Sequence, residues 1–281
     1  MKHRRILSML LCLLILASLP IAAFADTGPK PSVTVKISGL GEELCYGTLL
    51  SLKESTGPAQ AWDGNEENAW YPDGQRDIWQ AFVDYEDSDG YYFLQQFWQV
   101  NETKALNWTY YPPQSFKLLL YFPESDSFAV SGVYERYAFD SRFAVDADTM
   151  ELTKSSTILT EFGSLLIRIV LTIAIELAVA LLFGYRDRKQ IRFITVVNVC
   201  TQIVLNVLLT VADYRSGPWA SLVALVFGEL IVFVVEAVLY CIRLDKLSEK
   251  SSSKGKAFAY AFVANLASLM LGRFILLWLS V

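Results

Sequence analysis

The chain has 281 residues, 53% hydrophobic, 14% aromatic and 19% charged, which is too apolar for one soluble domain, too aromatic for a disordered chain, and long enough for about two folded units. The charge is divided unevenly, with 21 acidic against 9 basic residues over 26–155 (net −12) and 8 against 12 over 156–281 (net +4). An acidic half excludes a nucleic-acid partner, whose phosphates reward clustered Lys and Arg, and it describes a water-facing part joined to a membrane part.

Residues 1–25 read as a secretory signal peptide: Lys2, Arg4 and Arg5, an apolar run from Ile6 to Leu19, then a small-residue stretch ending Ala23-Phe24-Ala25. Cleavage there makes Asp26 the first mature residue. Cys12 follows Leu10-Leu11, where a lipoprotein signal requires a small residue. The only histidine, His3, is in this segment. The mature chain is therefore expected to lack Ser-His-Asp and Cys-His catalysis, H-E-x-x-H zinc sites and any histidine switch. Cys45 has no second exported cysteine to pair with. The exported half must rest on its own core.

Residues 26–155 predict an extracytoplasmic, β-rich α+β domain of sandwich-like form. Val33, Val35 and Ile37 alternate with polar neighbours up to Gly39-Leu40-Gly41, and Leu44 to Leu52 reads as the return strand of a hairpin. Turn formers fill 53–75. Ile78, Trp79 and Phe82 have helical spacing over about 76–86. Strands resume over Tyr91–Val100, Leu106–Tyr111, Phe116–Phe122, Phe128–Val130 and Tyr137–Val145, and a polar stretch from Asp146 to Thr160 leads into the membrane without a long tether. Asp87-Ser88-Asp89-Gly90 resembles a calcium loop, but aligning Gly90 puts Tyr85 and Gln96 where carboxylates are required, so it reads as an acidic turn. Asn101 and Asn107 head glycosylation sequons, which matter only in a eukaryotic secretory route. Among many aromatics, Trp62, Trp70 and Tyr71 lie in polar loop sequence and are the candidates for an exposed ligand surface.

Four apolar stretches follow, about 162–184, 191–212, 218–242 and 257–280, each long enough to span a bilayer. They predict an antiparallel four-helix transmembrane bundle over residues 156–281. The loops near 185–192 and 243–256 carry Arg186, Arg188, Lys189, Arg192, Arg243, Lys246, Lys250, Lys254 and Lys256, whereas the loop between spans two and three has only Arg215. The positive-inside rule makes the basic loops cytoplasmic and puts residues 26–155 and the C-terminus outside. The signal peptide gives the same orientation independently.

Polar side chains within these spans carry the functional information, because they are costly in hydrocarbon and turn toward the bundle interior. Counted from the cytoplasmic ends, Glu176, Asn198, Glu236 and Asn265 lie six to eight residues in, at about 9–12 Å. Gln202 lies above them, and Arg168, Asn206, Glu229 and Arg273 form a deeper level. Glu229 is expected to pair with Arg168 or Arg273. Glu176 and Glu236 have no basic residue at their depth, so each is neutral or meets a cation, unless the cluster merely joins helices. Ala264, Ser268 and Gly272 make a small-residue face on the fourth span.

The segments TGPKPSVTV, ESTGP, YYPPQSFKLLLYFPE and YERYAFDS, with the short signal and four spans, resemble a family of membrane proteins from Gram-positive anaerobic bacteria. No activity is attached to that family, so the resemblance implies compartment and no residue roles. The favoured expectation is a binding module. The exported domain recognises a cell-envelope ligand or a partner protein, and the bundle anchors it or relays its state. The rival is a small ion- or proton-coupled transporter, a homo-oligomer, using Glu176 and Glu236 with Asn198, Gln202 and Asn265. Neither reading needs a metal, a cofactor or a catalytic constellation.

Overall fold

The computed structural model describes residues 28–155, 158–248 and 253–278; the signal-peptide expectation lies outside them. A β-rich region of two sheets comes first and a helical region follows. The strands are β1 (Ser32–Ser38), β2 (Tyr46–Ser51), β3 (Trp98–Gln99), β4 (Ala105–Trp108), β5 (Ser115–Phe122), β6 (Ser127–Val130), β7 (Tyr134–Glu135), β8 (Asp140–Asp146) and β9 (Thr153–Lys154).

One sheet has the order β4-β1-β8-β9, with β1 parallel to β8 and antiparallel to β4. The other runs β3-β2-β5-β6, with β7 also pairing β5. Alternate residues of β1, β4 and β8 (Val33, Val35, Ile37, Leu106, Trp108, Phe143, Val145) meet Leu49 of β2 and Phe116, Leu118 and Leu120 of β5 in the core between the sheets. The second sheet is covered on its other face as well. There Tyr46, Leu50, Leu119 and Tyr121 pack with Trp79 and Phe82 of helix α1 (Arg76–Asp84) and with Phe93 and Phe97. Sheet, sheet and helix make three layers.

The middle layer corrects two sequence expectations. Leu44–Leu52 does not return as a hairpin beside β1; β2 pairs β3 and β5 in the opposite sheet. Its residues are buried on both faces, so it belongs in the centre of a covered sheet, whereas half-exposed β1 belongs where one face meets water. Gly47 makes that position possible, since a Cβ there would lie 3.1 Å from Leu120 and 3.2 Å from Leu106. The expected strand Tyr91–Val100 is reduced to β3 and an isolated bridge between Tyr92 and Ser51. Gln95 breaks it with φ 60°. Its buried amide accepts from the Trp70 N–H at 2.9 Å and donates to the Gln60 carbonyl at 3.2 Å, tying down the 60–70 loop. β9 pairs β8 inside the stretch expected to be only a polar lead.

The helices are α2 (Ile158–Leu182), α3 (Arg188–Ser216), α4 (Pro218–Arg243) and α5 (Lys254–Trp278). Among the described residues, three, α2 to α4, are long and apolar enough to cross a membrane. The fourth expected span falls in α5, with residues 279 and 280 outside the described ones. α2 packs on α3 and α5, and α4 packs on the same two helices.

The sandwich meets the turn between α3 and α4. The Phe139 N–H donates to the Tyr214 carbonyl at 2.8 Å, and the Tyr137 and Tyr214 rings lie 6.3 Å apart. Gly217 caps this turn with φ 81° and ψ −175°, a region open essentially only to glycine. A Cβ there would stand 2.6 Å from the Phe139 ring. Gly217→Ala is therefore expected to cost about 1–3 kcal/mol locally and to undock the sandwich. Hydrogen exchange of the Phe139 amide in the full chain should accelerate at least about tenfold; unchanged protection would refute the contact.

Candidate functional site

Polar residues recur on one face of α3 at Asn198, Gln202, Asn206, Thr210 and Asp213, the three- and four-residue spacing of a helix stripe. Thr210 and Asp213 extend the stripe beyond the residues singled out from sequence. Asn198, Gln202 and Asn206 are buried, as are Glu176 of α2, Glu236 of α4, and Asn265 and Ser268 of α5, with both glutamates at 0% exposure.

Glu236 is well supplied with donors. The Thr201 hydroxyl donates to Oε1 at 2.7 Å and the Asn265 amide to Oε2 at 2.8 Å. Glu176 is not. Ser268 approaches its Oε1 at 3.4 Å, but that hydroxyl has one hydrogen and a closer acceptor, the Asn265 carbonyl at 3.0 Å. Glu176 Oε2 has no partner, nor do the amide oxygens of Asn198 and Asn265. The Asn198 amide N–H faces the Glu176 carboxyl and also lies 3.1 Å from the Ile194 carbonyl and 2.9 Å from the Tyr240 hydroxyl. Buried acceptors without donors are rare in native proteins, since each costs about 1–3 kcal/mol. Three such acceptors lie in this one cluster.

One end of the cluster is closed. Tyr185, Tyr240 and Tyr260 are fully buried, with ring centroids 5.3 Å apart for Tyr185–Tyr260 and 5.4 Å for Tyr240–Tyr260. Lys256 lies over the Tyr185 ring at 4.8 Å. The connections from α2 to α3 and from α4 to α5 meet there: the Gln190 amide donates to the Leu244 carbonyl at 2.9 Å, and the Ser248 hydroxyl bonds Asp187. Toward the sandwich, a cavity of about 330 Å³ is lined by Leu165, Arg168, Asn206, Leu209, Thr210, Asp213 and Ser221.

Arg168 lines that cavity, whereas Glu229 faces another with Leu222, Leu225, Val226, Leu269 and Met270. The Arg273 side chain lies outside the described residues. Sequence reasoning missed Thr201 and the three tyrosines and took Ser268 only as part of a small-residue face; hydroxyls and phenols look unremarkable in an apolar run, and only their placement beside Glu176, Glu236 and Asn198 distinguishes them.

On the sandwich, the three candidate aromatics part company. Trp62 and Tyr71 pack on buried Trp79 with centroids at 5.3 and 5.2 Å, and the Trp62 indole donates to the Asn65 carbonyl. Trp70 alone is exposed, at 53%. The acidic turn is spent internally: Lys117 of β5 bonds Asp87 at 2.8 and 2.9 Å and Asp89 at 2.5 Å. Cys45 is fully buried, and burial, with the nearby Glu43 charge, pushes its thiol up to about 12, leaving it unreactive. Among the described residues no cluster of three or more His, Cys, Asp or Glu is arranged to hold a metal ion.

No protein-family model, no curated protein and no solved structure matches the chain.

Proposed function

We propose that this is a multi-pass protein of a bacterial cytoplasmic membrane whose four-helix bundle binds and moves a proton or small cation at Glu176 and Glu236, with residues 26–155 exported. One observation carries the reading: two fully buried carboxyls lie in one cluster with amide oxygens that have no partner. Helix glue does not require this, because glue is satisfied polar contact. The grouping of the basic connections at the end away from the sandwich supports the inward orientation of the loops near 185–192 and 243–256. Four helices enclose little volume, which favours a homo-oligomer in the bilayer.

Glu176→Gln combined with Glu236→Gln is expected to abolish ion flux in proteoliposomes while leaving helical content and oligomer size unchanged. Retained flux would eliminate the transport reading, and loss of fold without a folded, inactive state would return the carboxyls to a structural role.

A second reading is favoured by the docking of Phe139 on Tyr214 and Gly217: the exported domain binds a cell-envelope ligand or partner protein and relays its state into α3. Trp70 is the side chain it would present. Partners captured from mild detergent by the full chain and lost without residues 26–155 support this reading.

A further inference from the structure

We propose that Glu176 and Glu236 form a carboxyl pair holding one exchangeable proton, carried on Glu176 Oε2, and that this proton exchanges on the sandwich side of the helices. The inference rests on the transport reading and specifies its cargo.

Hydrogen-bond accounting assigns the proton. Glu236 receives donors on both oxygens and is satisfied as a carboxylate. Glu176 is less well supplied: the Ser268 hydrogen goes to the nearer Asn265 carbonyl, the Tyr260 hydroxyl hydrogen to the Glu176 main-chain carbonyl at 3.4 Å, and Oε2 has no partner. A carboxylate there would add acceptors where acceptors are in excess. A carboxylic acid places a hydrogen on Oε2, the oxygen that has no donor. The titratable groups that face Glu176 are Glu229, Glu236 and Tyr240 from α4 and Tyr260 from α5; α3 offers amides and a hydroxyl at this level. None of these is basic, and two carboxylates with no cation between them cannot both stay charged in a low-dielectric interior.

A metal ion fits less well. With Glu236 held by Thr201 and Asn265, the oxygens left over are Glu176 Oε2 and the Asn198 and Asn265 amide oxygens, short of the about six to eight that Ca²⁺ takes or the octahedral shell of Mg²⁺. The side of exchange follows from the two ends. Tyr185, Tyr240 and Tyr260 close one, while on the other the cavity reaches Asn206, whose amide donates to the Gln202 carbonyl at 2.8 Å one turn nearer the pair.

Infrared difference spectroscopy of the full chain in lipid nanodiscs, at stepped pH in H₂O and D₂O, tests this. One deuterium-sensitive carboxylic band is expected, lost in Glu176→Gln, retained in Glu236→Gln, and unmoved by Na⁺, K⁺ or Ca²⁺ at fixed pH. A band that survives Glu176→Gln, or no such band, overturns the inference. A band removed by a metal cation at fixed pH also overturns it, yet leaves the broader transport reading standing; that reading fails only if flux persists in the double variant. If Glu176→Gln does not fold, Glu176→Asp should keep the band and move its frequency, and an unmoved band refutes its assignment to residue 176. Asn206→Leu, which fills the cavity floor, is expected to slow deuterium uptake at the band at least tenfold. Unchanged uptake would refute exchange on that side.

Discussion

Lys117→Met is expected to destabilise the sandwich by about 3–5 kcal/mol, the cost of stranding a buried charge. Lys117 interrupts the otherwise apolar run Phe116–Phe122, and its side chain is 5% exposed on the face that β5 turns toward α1. Asp87, 1% exposed, takes two of its bonds, and the Tyr91 ring lies 5.1 Å away. Burial alone would raise the Asp87 carboxyl; the Lys117 ammonium and the Tyr91 and Asp89 N–H groups outweigh it and hold the carboxyl below the usual range. A carboxyl lowered by folding adds stability above its unfolded value, about pH 4, and loses it as pH falls through the folded value. Without Lys117 only burial and the N–H groups remain, so acidification toward pH 4 should relieve the stranded charge. Hydrogen exchange of β5 amides in the full chain reads both effects. Acid should weaken protection in the wild type and strengthen it in Lys117→Met, and Asp87→Asn with Lys117→Met should recover part of the loss. A variant as acid-sensitive as wild type would show that the ion pair is not what ties the turn to the sheet.

That pair also shows where sequence stops informing. Asp87 and Lys117 are thirty positions apart, and no local pattern joins them, so the turn reads as acidic and solvated. Period-two strands such as β1 and β8 are legible because one face meets water and the alternation survives. β2 and β5 are buried on both faces, which erases the alternation that would have placed β2 in the other sheet. The helical region is more readable, since long apolar runs have one structural outcome and a polar residue within one stands out. Counting positions along four runs brings Glu236 and Asn265 to one level, and in the structure they are hydrogen-bonded. Depth counting cannot give rotation about the helix axis. Arg168 and Glu229 therefore share a level and still line different cavities.

Trp79→Ala is expected to cost about 3–5 kcal/mol, and Trp79→Phe far less, for a reason that bears on the ligand surface. The Trp79 indole is fully buried between Trp62 and Tyr71, and its N–H has no acceptor. An unsatisfied buried donor costs about 1–3 kcal/mol, so Phe loses packing volume but also removes that penalty. The two changes offset, leaving Trp79→Phe within about 1.5 kcal/mol of wild type. Exchange of the β2 and β5 amides checks both. Equal losses for Phe and Ala would mean that the indole N–H has an acceptor after all. Because Trp62 and Tyr71 spend ring faces on Trp79, a ligand stacking on them must displace a core contact, whereas Trp70 costs nothing to engage. A binding role for the sandwich therefore predicts that affinity follows Trp70 and survives Trp79→Phe. Affinity lost in Trp79→Phe would move the surface back onto the Trp62 and Tyr71 pair.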